Sequence, residues 1–329
     1  MPQATPSQRL VQGDKSALAR LISWAENGDA RFAATLRELG PRSAQSGDKC
    51  WRTGITGPPG AGKSTLVNEL ARELRALGRT VGILAVDPSS PFSGGALLGD
   101  RIRMEERTTD PGVFIRSMAS RGAHGGIARA AVDACDAIEA AGYAEILLET
   151  VGVGQAEYDV VGAADTVLVV LCPGAGDGIQ AMKAGILEVA DVLVVNKSDL
   201  PGADRLVVDL EEAVHIRATG GARDPRGWSA PVVACSAGTG KDVAEVLRRI
   251  EQHRAWLAGE RLARARGEKR LQHVRRAVEE QLALELWERR GWNEKASALL
   301  ESGRAPYDVV EMLVSSILGA PQRDGVKSS

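Results

Sequence analysis

An α/β fold with a mostly parallel central sheet is predicted by three observations. Seven short apolar runs between Trp51 and Ser236 show little polar alternation, helical segments separate them, and a glycine-rich turn joins the first run to a helix. Near-continuous apolar strands are what a sheet covered on both faces requires. The elements follow in chain order.

"DKSALARLISWAENG" sets Leu18, Leu21, Ile22 and Ala25 at helical spacing behind a cap at Asp14 or Ser16. "DARFAATLRELG" makes a second helix, capped by Asp29 and stopped by Gly40 before Pro41. The strands are "WRTGIT", "TVGILAVD", "GVFIRSM", "AEILLET", "TVLVVLC", "DVLVVN" and "PVVACS". Beyond Trp256 the strands stop, and a long charge-rich helix carries Leu271, Val274, Val278, Leu282 and Leu286 on one stripe. Such a stripe either packs back on its own domain or joins a partner. Two shorter helices follow, around Glu294 to Leu300 and Tyr307 to Leu318. The expected division is an N-terminal helical extension (1–49), an α/β domain (50–258) and a C-terminal helical extension (259–329).

The 329 residues are 44% hydrophobic, enough for a sizeable core, and the net charge of −2 offers no general attraction to nucleic acid or an anionic membrane. No apolar stretch approaches the ~18 residues of a membrane span, and the N-terminus lacks a signal-like apolar region, so a cytoplasmic protein is expected. Cys50, Cys135, Cys172 and Cys235 form no C-x-x-C pair and read as unpaired thiols. The histidines, His124, His215, His253 and His273, are too scattered for a metal-insertion role.

"GPPGAGKS", Gly57 to Ser64, has the spacing G-x-x-x-x-G-K-S between a strand and a helix. Its glycines allow backbone N–H groups to turn around phosphate oxygens, and the helix presents its positive end there. The expected phosphate contacts run through Gly57, Pro58, Pro59, Gly60, Ala61, Gly62, Lys63, Ser64 and Thr65, with Lys63 on the terminal phosphates and Ser64 on Mg2+. The fold expected is therefore a P-loop NTPase. A dinucleotide fold is disfavoured, since "GVG" at Gly152 to Gly154 lacks the third glycine that opens a helix.

The base is read from "NKSD". Asp199 can accept from the N1–H and amino group of guanine, whereas adenine would leave that carboxylate unpaired. Lys197 can lie over the ring, with Asn196 beside it, and a backbone N–H among Ser236, Ala237 and Gly238 can meet the guanine carbonyl. The expected ligands are GTP and GDP, and the expected reaction is GTP hydrolysis.

"ETVG", Glu149 to Gly152, has the layout of a γ-phosphate sensor with glutamate in the acid position: Glu149 holds a magnesium-bound water and Gly152 meets the γ-phosphate. Asp87 and Asp100 bracket a Gly- and Pro-rich loop and are expected to serve magnesium or the attacking water. No glutamine directly follows Gly152, which leaves Gln155 a weak candidate for positioning water and predicts slow intrinsic hydrolysis.

The motifs "GITGPPGAGKSTLVNEL", "VDPSSPFSGGALLGDRIRM", "ETVGVGQ", "PGAGDGIQAMKAGI" and "VVNKSD" together resemble the MeaB-type GTPases, over nearly the whole chain. The resemblance implies a homodimer joined largely through the C-terminal extension. It also implies a chaperone of adenosylcobalamin-dependent methylmalonyl-CoA mutase that gates cofactor delivery from an adenosyltransferase and protects or reactivates the mutase. It assigns Asp177, Gln180 and Lys183 to a switch that couples nucleotide state to the mutase. The alternative is a P-loop kinase or ATPase acting on a small molecule or transport protein, in line with the ArgK label used in that family; "NKSD" speaks against ATP.

Overall fold

A computed structural model describes residues 4–39, 50–87, 110–119, 126–150, 162–174, 188–219 and 227–318. It divides into two compact units, Met1–His273 and Val274–Ser329.

The first unit begins with α1 (Pro6–Val11), α2 (Lys15–Glu26) and α3 (Ala30–Leu39). Asp14 is the cap of α2, its carboxylate accepting from the N–H groups of Ser16 and Ala17. Leu18, Leu21 and Ile22 of α2 are buried together with Ala134 and Ile138 of a later helix, so the N-terminal helices share a core with the sheet domain. The expected stop of α3 at Gly40 lies outside the described residues.

The strands are β1 (Trp51–Thr56), β2 (Val81–Asp87), β3 (Val113–Ala119), β4 (Glu145–Thr150), β5 (Thr166–Leu171), β6 (Val192–Val195) and β7 (Val232–Ala234). They form one sheet in the order β3-β2-β4-β1-β5-β6-β7, parallel at every pairing. The expected parallel α/β fold is what forms, because β4, β5 and β6 are buried along their whole length and lie between covering helices. Those helices are α4 (Lys63–Ala76), α5 (Gly126–Ala140), α6 (Ala203–Thr219) and α7 (Val243–Leu257). All-parallel pairing sends the turns after β1, β2, β4, β6 and β7 to one edge of the sheet, where the sequence-predicted site residues of those turns fall.

At the opposite edge, α8 (Glu260–Ala283) is tied into the first unit by its leading half. Leu262 joins the core beside β1, and Arg266 reaches Asp165 through two nitrogens at 2.8 and 2.7 Å while also donating to the Cys50 carbonyl. Asp165 is buried; burial pushes its carboxyl up, but the Arg266 guanidinium outweighs burial and holds it low. Arg266→Met would strip that buried carboxylate of its hydrogen-bonded guanidinium, leaving the Arg52 N–H and the charges of Arg52 and Lys269, so the expected loss is about 3 kcal/mol of unfolding free energy, read from the urea midpoint. A change below about 1 kcal/mol would show that Asp165 draws its stability elsewhere.

The second unit holds the end of α8, a π-helical segment (Leu284–Arg289), α9 (Trp292–Glu301) and α10 (Pro306–Leu318). Its small core is Trp292, Val309 and Leu313, with Leu286 packed on it. Of the apolar stripe expected along the long helix, Leu271, Val274, Val278 and Leu282 are each about half exposed in the single chain, and Leu286 alone joins a core.

Candidate functional site

The turn between β1 and α4 is shaped by two glycines that admit no side chain. Gly57 has φ +138°, and a Cβ there would stand 2.1 Å from the Val170 carbonyl oxygen. Gly62 has φ +87°, and a Cβ there would meet the Asn196 amide at 2.4 Å. At these two positions the loop lies against β5 and the β6 turn with no space for a substituent. Gly62, the cap residue of α4, has no side chain to occupy the helix start, and the positive end of the helix faces the loop.

Lys63 is buried, and its ammonium donates to the carbonyls of Gly57 (2.7 Å) and Pro58 (3.0 Å). The charge is thus held inside the loop's curve, on the carbonyls of its entry. One residue on, the Ser64 hydroxyl donates to Glu149 Oε1 at 2.6 Å. Strand register explains the meeting: Glu149 on β4 pairs with Ile55 on β1, and the hydroxyl of the next β4 residue, Thr150, donates to Thr56 Oγ1 at 3.1 Å. Hydroxyl and carboxylate side by side at a helix N-terminus are hard oxygen donors, a set suited to Mg2+. No group of three or more His, Cys, Asp or Glu side chains is assembled for a metal among the described residues.

The residues expected to read the base converge from β6 and β7. Asn196 is buried and acts as a staple: its Nδ2 donates to the Ala61 carbonyl (2.8 Å), and its Oδ1 accepts from Ala237 N (3.0 Å) and the Cys235 thiol (3.7 Å). Lys197 adopts a left-handed conformation, φ +57°, and its ammonium donates to the Gly60 carbonyl at 2.7 Å, which lays its alkyl stem across the turn. Asp199 is exposed and accepts from the Ser236 hydroxyl at 2.5 Å; that hydroxyl holds its carboxyl below the usual range, so it stays an acceptor at neutral pH. Of the three residues expected to meet the guanine carbonyl, Ser236 N already donates to the Lys241 carbonyl and Ala237 N to Asn196.

Gly57 to Thr65, Glu149, Asn196, Lys197, Asp199 and Ser236 to Gly238 therefore meet at one sheet edge. Asp87 ends β2 at the same edge, where Val86 pairs with Thr150; the described structure covers its backbone only. Asp100, Gly152, Gln155, Asp177, Gln180 and Lys183 lie outside the described residues. Two contributors escaped the sequence reading. Cys235 supports Asn196 with a thiol that burial keeps protonated, its pKa pushed up to about 12, and Thr150 bridges to the base of the loop. Cys235 sits one residue from a motif member and Thr150 holds an unspecified position inside "ETVG", signals too common to single them out.

Comparison with known proteins bears on this geometry. Residues 18–290 match the model of the family described as methylmalonyl Co-A mutase-associated GTPase MeaB. GTPase ArgK of Escherichia coli K12 is 34% identical over 84% of this chain and 83% of its own. The mouse protein named methylmalonic aciduria type A homolog, mitochondrial, is 36% identical over 78% of this chain and 64% of its own. Among solved structures, that of a LAO/AO transport system kinase superposes with a TM-score of 0.67 at 26% identity, covering 95% of this chain and 96% of the other.

Proposed function

This chain belongs to the MeaB family of methylmalonyl-CoA mutase-associated GTPases, and from that premise we propose that it is a GTP-hydrolysing chaperone of an adenosylcobalamin-dependent methylmalonyl-CoA mutase. The GTPase activity itself goes with the family. The observation that carries the nucleotide part of the reading is the Asn196 staple, which ties the turn expected to read guanine to the phosphate loop. The likeness to the mouse methylmalonic aciduria protein supports the mutase as client.

In this reading the γ-phosphate takes over the Lys63 ammonium from the Gly57 and Pro58 carbonyls, and the N–H groups at the start of α4 close on the β-phosphate. Ser64 would hold Mg2+ directly, and Glu149, with Asp87 and Asp100, would hold its waters. The ion, when bound, neutralises charge on the phosphate oxygens. Gly152 registers the γ-phosphate, and Asp177, Gln180 and Lys183 pass that state to the mutase. Only a difference in mutase affinity between the two nucleotide states can make this a switch. The domain roles proposed are a G domain over 50–258, an N-terminal helical extension over 1–49 and a C-terminal extension over 259–329 that joins two copies. The half-exposed stripe on α8 supports that last role. The proposed setting is the cytoplasm, with an adenosyltransferase as a second partner; no helix among the described residues is long and apolar enough to cross a membrane.

The test is GTP turnover by the purified chain, with ATP as control, alone and with a cobalamin-dependent methylmalonyl-CoA mutase. Faster GTP hydrolysis with the mutase, lost in Lys183→Ala, is expected. Unchanged turnover together with no complex on a sizing column would remove the mutase from the proposal and leave the GTPase.

A further inference from the structure

α8 is fastened to the first unit along one face. Leu262, Arg266, Lys269 and His273 recur at intervals of three and four residues, the spacing that brings side chains to one side of a helix. Each has its own anchor. Leu262 is buried beside β1, Arg266 holds Asp165, Lys269 donates to the Ala164 carbonyl, and His273 Nε2 stands 3.3 Å from Asp133 Oδ1 on α5. His273 is also the last residue of the first unit.

The last of these four ties differs from the others in kind. Leucine carries no charge, and arginine and lysine keep theirs across the neutral range, whereas histidine changes charge within it. The pair is sheltered enough for that charge to count: the side chains of His273 and Asp133 are 23% and 10% exposed. Around the imidazole, Asp133 and Asp136 on α5 attract its proton, and Arg129, 3.5 Å from Asp133, opposes it. On its own helix Lys269 and Arg270 lie one turn before it and Arg276 one turn after. Beyond these, Arg52 is matched by Asp136 and Glu139, and Arg266 by Asp165. The hydrogen bond to Asp133 is the strongest influence; it outweighs burial, and the imidazole holds its proton above the ordinary histidine range.

We propose that His273 is a proton-operated tie: charged, it fastens the last turn of this face to α5, and neutral, it lets that turn loosen. A proton lost from Nδ1 leaves the Nε2–H in place but removes the charge that Asp133 answers. The tie is therefore complete at pH below the ordinary histidine value and is lost as pH rises through the raised one. The three anchors before it keep their state across that window. Loosening is thus confined to the turn that ends the first unit.

The experiment is hydrogen–deuterium exchange on the full chain at about pH 5.5 and about pH 9, on either side of the histidine range, with each amide corrected for its intrinsic rate. Protection across residues 267–273 is expected to fall by about two- to fivefold at the higher pH, the worth of one partly sheltered ion pair. His273→Gln should show the lower protection at both pH values, and His273→Arg, which keeps its charge, the higher one at both. Asp133→Asn should bring the His273 imidazole resonance, followed by NMR, back to the ordinary titration range. An imidazole that already titrates there in the unaltered chain would overturn the proposal without any variant. So would protection that ignores pH, or a pH dependence that survives in His273→Gln.

Discussion

Lys63→Ala is expected to lower GTP turnover by about 10²–10³-fold, the usual cost of removing one preorganised charge donor from a reacting oxyanion. The reason is positional. Its ammonium is buried in the curve of the loop and already held within 3.0 Å of two carbonyls, so it meets the terminal phosphates with little reorganisation. Charge placed before the reaction begins is what separates a transition-state contact from a merely attractive one. Truncation also strips the carbonyls of Gly57 and Pro58 of that donor, so looser GDP binding should accompany the loss of rate. Single-turnover hydrolysis and fluorescent-GDP titration separate the two. A turnover within about fivefold of the unaltered chain would show that another cation, Lys197 among them, carries the phosphate charge.

Asp199→Asn should convert base preference, weakening GTP by about 10⁴-fold while improving the xanthine nucleotide. Guanine offers two donors, N1–H and the exocyclic amine, to a carboxylate that accepts both. The amide of asparagine faces that amine with a donor of its own. Xanthine carries an oxygen in place of the amine and restores the match. The Ser236 hydroxyl, 2.5 Å from Asp199 Oδ1, can still donate to an amide oxygen there, so the turn keeps its shape. Competition of labelled GTP with xanthosine triphosphate reads the result. Equal loss of both nucleotides would mean that Asp199 holds the turn and not the base.

The two cases differ in how legible they were. The seven strands were visible because each is apolar enough to be buried on both faces, and the phosphate and base motifs because their chemistry demands fixed spacing on consecutive elements. Glu149 was identified as an acid near the phosphate, but its partner Ser64 follows only from the β1–β4 register, a pairing of segments far apart in the chain. The same holds for the Asn196 staple: the sequence names the residue as a neighbour of the base, while its grip on Ala61 and Ala237 depends on β1, β6 and β7 standing in one sheet. Arg266 is one arginine among many on a charged helix, and nothing local marks it as the one that holds Asp165. Single-residue chemistry is written in the chain, and three-way junctions are written only in the fold.

The central place of β1 has a consequence for synthesis on the ribosome. The strand that carries the phosphate loop leaves the exit tunnel first of the seven, yet both its register partners, Glu145–Glu149 and Thr166–Val169, come much later in translation. Until then an apolar segment with open backbone edges has no parallel neighbour, since β2 and β3 pair with each other and reach β1 only through β4. The nascent chain therefore passes through a long aggregation-exposed interval in which α1 to α3 and the β2–β3 pair can form but the phosphate loop cannot. Nucleotide cannot rescue chains stalled in that interval, because its site does not exist before β4, β5 and β6 have been made.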